Sequence, residues 1–115
     1  MDARAARVVL VTAPDHDAAR SIARALVEER LAACGNIVPA ITSIFRWQGA
    51  IQEEAETLLV LKTSADRVAG LSARVTELHP YDVPEVLALP VDAGLQPYLH
   101  WLGACLAPGG EADES

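Results

Sequence analysis

The 115-residue sequence predicts an α+β fold of ferredoxin-like type, βαββαβ, with an extended central hairpin and an added C-terminal helix. Three observations carry that expectation. Apolar residues switch between strand-like runs and helical spacing in the order strand, helix, strand, strand, helix, strand. Proline and glycine punctuate the chain at the junctions. The two middle strands are about twice the usual five to six residues.

The elements follow in order. Arg7 to Ala13 (RVVLVTA) is a short β-branched run ending at Pro14, apolar on both faces as a central strand requires. Asp15 stands where an N-cap belongs and Asp17 adds negative charge to the first helical turn. Ala19, Ile22, Ala23 and Leu26 then repeat at helical spacing, which predicts a helix to about Leu31 or Ala32. Asn36 to Trp47 (NIVPAITSIFRW) has strand composition, with Pro39 demanding an edge or a bulge. Trp47-Gln48-Gly49-Ala50 supplies a tight turn, and Ile51 to Thr63 runs back, with LLVL fit for the second central strand.

Ser64 is placed to cap a second helix carrying Val68, Leu71, Val75 and Leu78, which stops at His79 because Pro80 disfavours helix before it. Glu85 to Val91 is the last strand. Pro97 opens a third helix with Leu99, Leu102 and Leu106 on one side. Residues 1–107 thus form one domain, and 108–115 a flexible acidic tail. Arms as long as those of the hairpin outrun the strands available to pair with them. Exposed backbone edges are normally protected, so strand lengths alone predict association with other chains.

Composition narrows the function. The net charge is −7, and eight of the nine cations are arginines, with Lys62 the exception. No basic cluster is present, which argues against nucleic acid or an anionic membrane as partner. The first and third strands lack the stacking aromatics of an RNA-binding sheet. No run reaches the ~18 apolar residues of a membrane span. Cys34 and Cys105 match no zinc or redox spacing, and a reducing cytoplasm is the expected compartment.

The segment HPYDVPE (His79 to Glu85) holds the densest chemistry. His79 suits a metal ligand or, alternatively, a helix-terminal imidazole bonded to free carbonyls. Asp82 and Glu85 suit acid–base work or plain solvation. Without slippage of the hairpin, Cys34 falls opposite Thr63 and close to Lys62, whose ammonium would favour a thiolate; a bulge at Pro39 would shift that register. An inert, buried thiol is the other reading. Arg46 and Trp47 at the hairpin tip are types enriched at interfaces. No phosphate-binding loop, nucleophile elbow or dinucleotide motif occurs, so no catalytic residues are assigned and an enzyme is not expected.

TAPD (Thr12 to Asp15), ALVEERLAACGNIVP (Ala25 to Pro39), SIFRWQGAIQ (Ser43 to Gln52), LKT (Leu61 to Thr63) and LHPYDVPEVLALPV (Leu78 to Val91) together resemble the CutA family of divalent-cation tolerance proteins. The resemblance runs from about Val8 to Leu102. It implies a homotrimer of PII-like plan, linked to copper and other divalent cations and without an established reaction. By resemblance His79 matches the family's HPY histidine and is the metal candidate. Cys34, Arg46, Trp47, Lys62, Tyr81 and Glu85 match positions expected at clefts between subunits. Some metal-binding members carry a Cys before TAPD and a second His before HPY. Val11 and Leu78 stand there in this chain, so any copper site is expected to be weak. The alternatives are a PII-like trimer whose clefts take a small anionic ligand at Lys62 and Arg46, or a purely structural scaffold.

Overall fold

A computed structural model describes residues 1–109; most of the acidic tail expected from 108 onward lies outside the described residues. A 3-10 turn at Ala3–Ala5 precedes β1 (Ala6–Ala13), α1 (His16–Glu28), β2 (Cys34–Trp47), β3 (Ala50–Ser64), α2 (Val68–Leu78), β4 (Leu87–Pro90) and α3 (Gln96–Leu106). The sheet order is β2-β3-β1-β4, antiparallel throughout, so β1 and β3 are central as their two-sided apolar sequences predict. This is the α+β, ferredoxin-like arrangement.

The core lies on one face of the sheet. Val9, Val11, Leu59 and Leu61 point from β1 and β3 toward Ile22 and Leu26 of α1 and Leu71 and Val75 of α2, and all eight are essentially inaccessible. Burying each side chain of this size stabilises by about 1.5–3 kcal/mol. The other face of the sheet is also apolar; α3 covers one end of it, where Leu99 buries Ala6, and the rest is left uncovered. By strand alternation and register it carries Val8, Leu10, Val38, Leu58 and Val60, and on β4 Leu87 and Leu89, of which Leu87 is 58% exposed.

Asp15 caps α1 as the sequence predicts, accepting from the Ala18 N–H at 2.8 Å. The helix ends at Glu28, not at Leu31 or Ala32. Arg30 takes a left-handed φ of 59°, Leu31 N–H bonds the Leu26 carbonyl and Arg30 N–H the Val27 carbonyl. That pair of bonds is the Schellman stop, built here without the usual glycine. Ser64 does not cap a helix. Its hydroxyl bonds Asp66 across a 3-10 turn (Ala65–Arg67) that leads into α2. The last strand is shorter than Glu85 to Val91 because only Leu87–Pro90 lie alongside β1, at Leu10 back to Arg7. Pro97 stands second in α3, after Gln96.

β2 and β3 span 14 and 15 residues. Gln48 and Gly49 between them both have positive φ, 49° and 78°, as a two-residue I′-type turn requires. β1 reaches β3 only as far as the Ala13–Thr57 pair, so β3 residues 50–56 project beyond it with one free edge. At ~3.3 Å per residue the overhang is roughly 20 Å. The longest dimension, 46 Å against 26 and 24 Å, reflects it.

Candidate functional site

The bulge in β2 decides which side chains share a face. Register jumps between Val38 and Ile41, so Pro39 and Ala40 together oppose Thr57, and Ala40 has φ 63°. The jump moves Cys34 from Thr63 to a position directly opposite Lys62. It also reverses the alternation of β2, because one extra residue swaps the two faces. Ser43, Phe45 and Trp47 therefore stand on the uncovered face with Gln52, Glu54 and Glu56, while Ile44 and Arg46 point the other way.

Trp47 and Phe45 form one wall of a cleft of about 820 Å³; the HPYDVPE connector forms the other. Its carboxylates are Glu54 and Glu56 from β3 and Asp82 and Glu85 from the connector. Tyr81 closes the gap between the walls by donating its phenol to Glu56 Oε2 at 2.9 Å. Burial and this hydrogen bond to Glu56 push the Tyr81 phenol up to about 12, because ionising it would leave two anions in contact. Among the described residues no lysine or arginine lines the cleft.

His79 holds the connector in place. It ends α2, with its N–H on the Val75 carbonyl at 2.8 Å, and its side chain is only 7% exposed. Nδ1 accepts from the Tyr81 backbone N–H at 3.0 Å, which leaves the ring proton on Nε2, donated to the Thr12 carbonyl at 2.7 Å. The ring also lies 4.7 Å from that of Tyr81. The imidazole thus ties the end of α2 to the end of β1 and sets the direction of Tyr81. A metal ion at His79 would have to displace one of these two bonds. Its neighbours at Val11 and Leu78 offer no ligand, and among the described residues no three His, Cys, Asp or Glu side chains stand close enough together to hold one metal ion. The donor set does not fit a tightly held resident ion.

Cys34 and Lys62 belong to a separate cluster near the other end of the uncovered face. Lys62 Nζ bonds Asn36 Oδ1, and the Cys34 thiol lies 4.0 Å from both that oxygen and the Tyr98 hydroxyl. Burial, then the charge of Cys34, pushes the Tyr98 phenol up; the same two causes raise Cys105 on α3. Lys62 stands six positions along β3 from Glu56, about 20 Å along the strand. The expected cleft residues therefore divide. Trp47, Tyr81 and Glu85 come together, Cys34 and Lys62 form the second group, and Arg46 joins neither within one chain. Lys62 lies still farther from the β3 partner of Arg46, Ile51, so the two cations cannot share one ligand in a single chain. Sequence reasoning missed Glu56, Glu54, Phe45 and Tyr98. Face parity after a placed bulge would have found the first three; nothing local marks Tyr98.

Comparison with known proteins is consistent across sequence and structure. Residues 7–105 match the family described as CutA1 divalent ion tolerance protein. The divalent-cation tolerance protein CutA of Thermus thermophilus is 57% identical over 95 residues, 83% of this chain and 92% of its own length. The mouse protein CutA is 52% identical over 92 residues, 80% of this chain but only 52% of its own length. The solved structure of the Thermus thermophilus protein superposes with a TM-score of 0.83 at 56% identity, covering 84% of this chain and 94% of that one.

Proposed function

Since the chain belongs to the CutA1 divalent ion tolerance family, we propose that it acts as a homotrimer in tolerance of divalent cations, copper foremost, binding the ion weakly rather than transforming a substrate. The observation that carries this reading is the unbroken family match over residues 7–105. Support for assembly comes from the uncovered apolar sheet face and the overhanging hairpin, with Ile44 67% and Trp47 59% exposed. A single chain would leave both in water, and an apolar patch this continuous marks an interaction surface.

Weak binding is the form of metal interaction compatible with His79. An ion there gains one imidazole and forfeits a backbone hydrogen bond. The expected compartment is the cytoplasm, where Cys34 and Cys105, both free thiols here, stay reduced. Copper(II) titration of the assembled protein, followed by native mass spectrometry, tests the site. Low-occupancy uptake that His79→Ala abolishes is the expected result. Uptake unchanged in His79→Ala removes His79 from the reading.

A further inference from the structure

The cleft beside Tyr81 is chemically incomplete in one chain. Four carboxylates, Glu54, Glu56, Asp82 and Glu85, share a space walled by Phe45, Trp47 and Tyr81. Among the described residues their one side-chain partner is the Tyr81 hydroxyl, on Glu56. Like charges gathered beside aromatic rings favour a cation, more strongly as the walls exclude water.

Most of the chain's own cations are already committed. Arg24 and Arg74 pair with Glu28, Glu29 and Glu77. Arg7, Arg30 and Arg67 donate to backbone carbonyls, and Lys62 to Asn36. Among the described residues that leaves the guanidinium groups of Arg4, Arg20 and Arg46 without a hydrogen-bond or ion-pair partner. Arg4 stands in the N-terminal turn and Arg20 on α1, and neither is on the overhang. Arg46 stands on it, next to Trp47, opposite Ile51 in the ladder. Alternation aims Arg46 away from the face that bears Phe45 and Trp47, and Arg46 is not among the residues that line the cleft of its own chain.

A cyclic trimer joins two different surfaces at every interface, so a feature on one side of the hairpin meets a different feature on the next copy. Guanidinium is suited to this cleft, since it binds carboxylates through a planar fork and stacks on aromatic rings. We propose that Arg46 of one copy docks into the acidic, aromatic cleft of the next, pairing with Glu54, Asp82 and Glu85 while Glu56 stays with Tyr81. The inference rests on the trimer proposed above and names the contact that completes it.

Charge reversal tests it. Trimer dissociation is measured on dilution by native mass spectrometry and light scattering for wild type, Arg46→Glu, Arg46→Gln, Glu85→Arg and the Arg46→Glu/Glu85→Arg double variant, with far-UV circular dichroism reporting the fold of each. Arg46→Glu and Glu85→Arg are each expected to raise the trimer dissociation constant at least tenfold. Arg46→Gln, which keeps a neutral polar group, should give a smaller rise, and the double variant should recover part of the loss. A stable trimer with Arg46→Glu and Arg46→Gln indistinguishable from wild type overturns this contact and leaves the assembly intact. A monomeric wild type overturns the contact and the trimer together.

Discussion

At His79 two backbone groups depend on one ring. Removing it strands the Tyr81 N–H and takes a donor from the Thr12 carbonyl in a site closed to water. His79→Ala is therefore expected to lower unfolding free energy by about 2–4 kcal/mol in denaturant melts. A variant as stable as wild type would contradict the clasp. Tyr81 makes a prediction about pH. Its folded-state phenol is raised to about 12 from the ordinary 10, first by burial and then by the Glu56 bond. A raised folded value means that the neutral form is favoured on folding, so the stabilisation is full below pH ~10 and disappears as pH climbs toward 12. Ultraviolet titration should show a late tyrosinate step that Tyr81→Phe removes. A phenol in that position titrating near 10 would contradict the contact. The sequence made His79 a candidate ligand or a helix-terminal donor, and could not choose between them. Both bonds lead to backbone atoms, one of them 67 residues away, which leave no mark in the side-chain pattern.

Element boundaries were legible wherever a residue type enforces them. Asp15, Gly49 and Pro80 each act locally, and the cap, the turn and the helix end stand at those positions. The stop of α1 was hidden because an arginine fills the left-handed position that usually calls for glycine. Ser64 illustrates the converse, a good capping residue recruited to Asp66 instead. The bulge was anticipated at Pro39, but its sense, which puts Cys34 opposite Lys62 and Trp47 on the uncovered face, needed the ladder itself. Ala40 is exposed and left-handed there, a conformation that disfavours a Cβ by roughly 1–2 kcal/mol. Ala40→Gly should stabilise by about 0.5–1 kcal/mol after the extra chain entropy of glycine is subtracted, which a thermal melt would resolve. Deleting Ala40 should do more. With no extra residue, the tip side chains exchange faces or Cys34 leaves Lys62, and assembly weakens in either case.

For the molecule as a whole, one face of the sheet makes the core and the other is an apolar surface in search of a partner. Val60 stands there on a central strand, half-buried, between Leu10 of β1 and Asn36 of β2. Val60→Glu is expected to leave secondary structure intact and to split the assembly into single chains, read by sedimentation. An unchanged sedimentation coefficient would mean that this face is not the interface. Overlong strands and a high apolar content made association legible in the sequence. The division of the expected cleft residues into two clusters was not legible, because it depends on distances along β3 and on which face each residue takes.

The most direct measurement is the native mass of the purified protein at micromolar concentration. Three chains per particle, persisting on dilution and weakened by Val60→Glu, is the expected result. A single chain that stays folded, its sheet face open to solvent, would contradict it.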